Sequence, residues 1–501
     1  MKPVLFFCAL ILLLSAIAYR SYATAQTAPV ISVDSIVFLP PAISFHESER
    51  LTNPVWAGAP VLDPSGQNRM IYHGFLYPML VSLLMWRGDW IALAGVLAIL
   101  HAIATLLVGP FLLNFARLWN WKLTTRCLFL ILLFVAACAN YTQGSLYRPE
   151  PLAAIILMLA VLCASRFSLR WHGPIMAIGI GLLGAIDPVI GVFAGLGFGA
   201  YAAWRHSASR FWLELAVAGA CSLAVFALCF LWYPYSMAEW FVGTLRMSQS
   251  AFAQATGLSM WRLFLANYVY YGCSWMLAAT IPLSIWCGVR FLRRRLHTQN
   301  GPASPILFFV MVSLGALVQA RCILYGPWAT YNWLPLMPLA FVPIFYELGR
   351  MLEIDRARVS HFQRVAFAIL FLTAVGLFGD LYERAHMLRS GFNLREARER
   401  LAQWRTEHPR TLIGLDKNLF ALTEDYSGIA LSRSRQPPEQ VELWVFAQAF
   451  TYHQQPPAFA GFQLLENHFN PNRLSLFGIP LWRTERGSGI AIYARDKSLL
   501  P

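Results

Sequence analysis

Residues 74–86 read GFLYPMLVSLLMW, and whether this run crosses a membrane decides the orientation of everything after it. Crossing the hydrocarbon takes about 20 apolar residues, and shorter runs are more often interfacial or buried. This run is shorter and carries Pro78, so it reads as a helix lying in the outer interface. Charge supports that reading. The next apolar run, Trp90–Ala116, is followed by Arg117, Lys122 and Arg126, which the positive-inside rule assigns to the cytoplasm. Arg166 and Arg170, Arg205 and Arg210, Arg290 with Arg293, Arg294 and Arg295, and Arg350, Arg356, Arg358 and Arg364 then all fall on that same side. A crossing at 74–86 would put every later cluster on the wrong one.

Working outward, the same ruler gives a polytopic α-helical membrane protein of eleven spans: Val4–Tyr19, Trp90–Ala116, 127–141, 151–165, 174–187, 189–204, 211–232, 265–289, 304–322, 331–348 and 365–380. The composition agrees. Of 501 residues 57% are hydrophobic and 13% charged, against about a quarter charged in a soluble enzyme. The formal charge of +14 sits largely in short loops between apolar runs, where it sets orientation, and nucleic acid is excluded as a partner. The expected division is 1–22 as a first span, signal anchor or cleaved leader (Ala23-Thr24-Ala25 resembles a cleavage site); 23–89 as an external loop with interfacial helices; 90–380 as the helical membrane domain; and 381–501 as a small external α/β-like domain.

That last domain announces itself by a change of composition near Gly391. Residues 394–406 place Leu394, Ala397, Leu401 and Trp404 on one helical stripe. Short apolar runs at Thr411–Leu415, Gly428–Leu431, Val441–Phe446 and Ile490–Tyr493 read as strands. The nine cysteines all lie in or beside apolar runs before residue 390, with no CxxC and no metal-ligand spacing, so neither a disulfide framework nor a metal site is expected.

Polar residues at the external ends of spans carry the chemical information, because charge in the hydrocarbon is expensive. Asp34, in ISVDSIVF directly after the first span, can act as a general base toward a hydroxyl from a partly desolvated position; it is equally a helix N-cap. Arg148 and Glu150, in YRPEP at the mouth of the 151–165 span, offer a forked donor for phosphate, or a plain interfacial ion pair. Asp187-Pro188 is a substrate-facing acid or a turn. Arg246 in the 233–263 loop, and Arg321 with Tyr325 and Tyr331 in RCILYGPWATY, can meet a lipid-linked phosphate at headgroup depth, or simply furnish an interfacial belt.

Taken together, the early acid Asp34, the stretch FHESERLTNP (Phe45–Pro54), YHGFLY (Tyr72–Tyr77) before Pro78, the Arg148-Pro149-Glu150 triplet, Asp187-Pro188 and YNWLPLMP (Tyr331–Pro338) resemble the GT-C superfamily of membrane glycosyltransferases, the group holding protein mannosyltransferases and aminoarabinose transferases. The resemblance implies an inverting hexosyl- or pentosyltransferase of a bacterial inner membrane. It would move a sugar from a polyprenyl-phosphate carrier to a hydroxyl of a lipid, glycan or protein acceptor at the periplasmic face. Asp34 would then be the base; Arg148, Glu150, Asp187, Arg246, Arg321, Tyr325 and Tyr331 would bind substrate. No cofactor is implied beyond a divalent metal, which no motif here supports: Ser35 stands where many relatives carry a second acid. A transporter or flippase of a lipid-linked sugar is the main alternative, and it predicts repeated halves and mid-span charges that the sequence does not show.

Overall fold

The computed structural model describes residues 3–27, 35–53, 63–85, 90–141, 147–167, 171–205, 208–256, 283–290, 337–353, 360–389, 394–407, 409–416, 419, 429–432, 436–448, 457–467, 475–476, 479–480 and 489–495. Helix α1 is Pro3–Thr27, α2 Ser35–Ser48, α3 Leu76–Leu83, α4 Trp90–Leu106 and α5 Val108–Leu118. Next come α6 Thr125–Tyr141, α7 Glu150–Arg166, α8 His172–Ile186, α9 Pro188–Arg205, α10 Ala208–Phe230 and α11 Met237–Thr256. After a short helical piece at 283–290 follow α12 Met337–Glu353, α13 His361–Arg389 and α14 Leu394–Glu407.

Among the described residues three helices are long and apolar enough to cross a membrane: Pro3–Gln26, Leu93–Leu118 and Ser209–Phe230. The second runs through α4 and α5, because Leu107 between them keeps helical backbone angles. On the third, Trp212, Leu213, Leu223 and Leu228 are all largely exposed. Apolar side chains left outward along a whole helix have hydrocarbon as their natural solvent, so the protein resides in a membrane. Others of the eleven expected spans are shorter among the described residues: α8, for example, has 15 residues, roughly 22 Å at 1.5 Å per residue against a ~30 Å core. The expected span 304–322 lies outside the described residues, 265–289 is described only from residue 283, and 331–348 only from Met337.

Two hydrogen bonds join neighbouring helix ends. Asn114 donates to Ser165 at 2.7 Å, joining the last turns of α5 and α7, and Gln363 donates to the carbonyl of Glu347. Elsewhere residues 63–75, α3 and the α8–α9 junction lie together, with Gly74 against Ile186. The run 74–86 forms only the eight-residue α3, about 12 Å long, which cannot cross. Most of it packs inward, with Leu76, Tyr77, Pro78, Met79, Val81 and Ser82 buried against α2 and the end of α8, while Leu83 and Leu84 stay 68% and 44% exposed.

Beyond α14 a sheet of five strands has the order β2-β1-β3-β7-β4, with β1 Ile413–Asp416, β2 Ile429–Ser432, β3 Leu443–Gln448, β4 Phe462–Asn467 and β7 Gly489–Arg495. Strand β1 runs parallel to both β2 and β3, and β7 antiparallel to β3 and β4. Alternation gives it two apolar faces: Ile413, Leu415, Leu443, Val445, Ile490 and Ile492 on one, Trp444, Phe446, Ala491 and Tyr493 with Phe459 on the other. Leu401 of α14 is buried with the first face. Strand β4 has no counterpart in the sequence reading because FQLLEN is half polar and forms no apolar run of the kind that marked the others. A two-stranded hairpin, β5 Ser475–Leu476 with β6 Ile479–Pro480, completes the described strands.

Candidate functional site

The segment between α2 and α3 is built around one carboxylate. Asp63 is fully buried and accepts hydrogen bonds from the backbone and hydroxyl of Ser65 at 3.1 and 2.8 Å, from the backbone of Arg69 at 2.8 Å and from its guanidinium at 3.0 Å. The far side of that guanidinium reaches Glu239 at 2.6 Å, and its plane lies over the Tyr235 ring. Burial alone would raise the Asp63 carboxyl, but hydrogen bonds from Arg69 and Ser65 more than offset it and bring it down to about 2. Glu239 is likewise lowered to about 2, by Arg69 first and Ser236 next. Arg69 is correspondingly raised. Two tyrosines strengthen the seam: Tyr233 donates to the carbonyl of Met70 at 2.7 Å, and Tyr235 to that of Leu51 at 2.9 Å.

This frame fixes the residues that follow. Trp240 donates its indole N–H to the carbonyl of His73 at 2.8 Å. His73 adopts φ 61°, a left-handed conformation that costs a residue with a β-carbon of order 1 kcal/mol or more and persists where its surroundings dictate it. Its ring packs 5.5 Å from Phe38 of α2. Gly74 then presses so close to α8 that a β-carbon would sit 1.7 Å from the carbonyl oxygen of Ile186, so only glycine fits. One residue further along α8 comes Asp187. Its backbone N–H closes α8 on Leu183, while its carboxylate accepts from the N–H groups of Val189 and Ile190 at 3.1 and 3.2 Å. Asp187 is therefore the N-cap of α9, with Pro188 at the first helical position.

Tyr77, one turn beyond, packs edge-on against Phe38 with centroids 5.6 Å apart. Its hydroxyl is buried without a hydrogen-bond partner among the described residues, as is that of Tyr147. Both hydroxyls are pushed up by burial, and Tyr77 feels Glu150, Tyr147 and Arg148. Arg148 and Glu150 form the ion pair: the arginine Nε donates to both carboxylate oxygens at 3.0 and 2.9 Å, with Glu150 buried in the first turn of α7, where a negative charge suits the helix dipole. Glu150 thus neutralises Arg148, which presents directed N–H donors rather than free charge. Because a buried hydroxyl without a partner carries a desolvation penalty of about 1–3 kcal/mol, Tyr77→Phe is expected to raise the melting temperature of the detergent-solubilised, substrate-free protein. A lower melting temperature would show that the hydroxyl has a partner in solution.

Of the residues singled out from sequence, Arg148 and Glu150 come together, within electrostatic reach of the Tyr77 hydroxyl, and Tyr77 packs on Phe38 of α2, the helix that follows Asp34 in the chain. Asp187 stands beside Gly74 through the end of α8. Arg246 is exposed on α11. Asp34, Arg321, Tyr325 and Tyr331 lie outside the described residues. Sequence reasoning gave no role to Asp63 or Arg69, nor to Arg20, buried in α1, and held His73, Tyr77 and Tyr147 only as members of YHGFLY and YRPEP. Of the first three only Arg20 had a usable signal, a charge adjoining an apolar run. Among the described residues no three or more His, Cys, Asp or Glu side chains gather to hold a metal ion, so no cation site can be assigned there.

No family model matches the chain, and no curated protein matches it either. Its structural neighbours are archaeal oligosaccharyltransferases. The crystal structure of the Archaeoglobus fulgidus oligosaccharyltransferase with Zn and sulfate is 14% identical with a TM-score of 0.45, covering 86% of this chain and 62% of that one. The apo form gives 13%, 0.42, 82% and 63%. The Archaeoglobus fulgidus oligosaccharyltransferase AglB in complex with an inhibitory peptide and a dolichol-phosphate gives 14%, 0.43, 88% and 66%. The chain spans just under two thirds of the length of these proteins.

Proposed function

We propose that this protein is a membrane glycosyltransferase of the GT-C type, moving a sugar from a polyprenyl-phosphate carrier to an acceptor hydroxyl at the periplasmic face of a bacterial inner membrane. The observation that carries the reading is the seam at one end of the helical bundle. There Phe38 of α2 packs edge-on against Tyr77, and the Tyr77 hydroxyl lies within electrostatic reach of Glu150, Tyr147 and Arg148, which supports one site shared by the YHGFLY and YRPEP motifs. The chemistry is a single inverting displacement. Asp34 takes the proton of the acceptor hydroxyl as its oxygen attacks the anomeric carbon, and the bond from that carbon to the carrier phosphate breaks. Negative charge grows on the departing phosphate, where preorganised donors in a poorly hydrated site stabilise it most. In this reading Arg246 and Arg321 supply positive charge at headgroup depth, Arg148 supplies N–H donors held in place by Glu150, and Asp187, Tyr325 and Tyr331 line the substrate.

The test is direct. Protein reconstituted in nanodiscs is incubated with polyprenyl-phosphate sugars and a cell-envelope glycolipid extract, and free polyprenyl phosphate is measured by mass spectrometry. Enzyme-dependent release of the carrier with gain of a sugar on the acceptor is expected. Vesicle-to-vesicle-side movement of intact donor with no bond cleaved would overturn the proposal in favour of a flippase.

A further inference from the structure

Helix α11 has two unlike sides. Inward, Trp240 is held by the His73 carbonyl, and Gly243 approaches Ile71 so closely that a β-carbon would lie 2.1 Å from its carbonyl oxygen. Glu239 is fastened to Arg69. Outward, Met237, Phe241, Val242 and Leu245 are 48%, 63%, 44% and 48% exposed. At about 100° per residue these positions share one arc of roughly 140°, with Ala238 among them and Arg246 at one rim. The arc begins where α10 ends, at Leu231 and Trp232, 76% and 64% exposed, and so continues the outward apolar surface of a membrane-crossing helix.

We propose that α11 is an in-plane helix seated in the lipid leaflet, its Met237–Phe241–Leu245 arc in the acyl boundary and Arg246 level with the lipid phosphates. Continuity with α10 selects lipid as the occupant, since the surface it extends already faces hydrocarbon. An apolar arc with a guanidinium at its edge is also the pattern by which amphipathic helices bury one face and let a long cationic side chain reach the headgroups. Helix α3 leaves only Leu83 and the adjoining Leu84 outward, 68% and 44% exposed, so α11 offers the broader outward apolar arc at this end of the bundle. Because the inner side of α11 holds Ile71, His73 and Arg69, its depth in the leaflet sets the height of the 63–75 segment.

Nitroxide accessibility tests this. A ketoxime label on p-acetylphenylalanine at position 241, and separately at 245, leaves the nine native cysteines untouched. In nanodiscs of equal parts phosphatidylethanolamine and phosphatidylglycerol, the oxygen-to-nickel accessibility ratio at both positions is expected several-fold above that at Ala402, exposed on the polar helix α14, and to approach that at Leu223 on α10. A ratio like that of Ala402 would mean the arc faces water. Low accessibility to both reagents would mean a second copy or another protein covers it. Either result overturns the proposal.

Discussion

Asp34→Asn is expected to lower sugar transfer by about 100- to 10,000-fold, the range general-base catalysis supplies, while the protein is still extracted and purified as a single species. The amide is nearly isosteric with the carboxylate but cannot accept the acceptor's proton. The chain just after it is well anchored: Val37, Phe38, Leu39 and Ala42 are buried, and Asn53 donates to the carbonyl of Val37 at 3.3 Å. With α2 so held, a change at residue 34 reads out as chemistry rather than as unfolding. If Asp34 is the base, the loss falls on kcat with the donor KM little changed, because ground-state contacts to the carrier survive. A merely structural N-cap would instead show as a lower melting temperature of about 1 kcal/mol in stability with transfer preserved. Full transfer by Asp34→Asn would remove Asp34 from the mechanism.

The sequence revealed features carried by local pattern and concealed those that depend on distant partners. Long apolar runs were legible because composition alone marks them, and Pro3–Gln26, Leu93–Leu118 and Ser209–Phe230 overlap the first, second and seventh spans read from sequence. The Asp187 turn was equally legible, since capping needs only the next three residues. The run 74–86 was half legible: its length forbade crossing, but nothing in it foretold that Gly74 would touch Ile186, more than a hundred residues on. The same holds for Arg69 and Glu239, 170 positions apart, and for Tyr77 beside Tyr147. Arg20 escaped because the apolar run was ended at Tyr19, whereas α1 continues to Thr27 and carries the charge inside. In the C-terminal sheet, strands made of short apolar runs were found, and β4, whose Phe462–Asn467 run FQLLEN mixes three polar residues with its leucines, was not.

Asp63→Asn is expected to cost about 3–5 kcal/mol of stability, the range for removing one partner of a buried ion pair, read as a large fall in melting temperature in detergent. The carboxylate is fully buried while Arg69 keeps only 15% of its side chain exposed, so the substitution strands a guanidinium and turns an amide N–H toward donors. Glu239→Gln touches the same arginine from a side chain 41% exposed, where solvent screens the pair, and about 1 kcal/mol or less is expected. Acid should reproduce part of the first effect. Asp63 titrates near 2 when folded against 3.8 for the free group, so its stabilisation is present in full above about pH 4 and is lost as pH falls through 2. That difference corresponds to about 2 kcal/mol, and it disappears from the melting curve of Asp63→Asn. Arg69→Lys should also be costly, because an ammonium cannot hold Asp63 through Nε and Nη2 while reaching Glu239 through Nη1. Should Asp63→Asn prove no more harmful than Glu239→Gln, the frame holding His73, Gly74 and Tyr77 in place would have to be the aromatic seam of Tyr233 and Trp240, with the ion network a passenger on it.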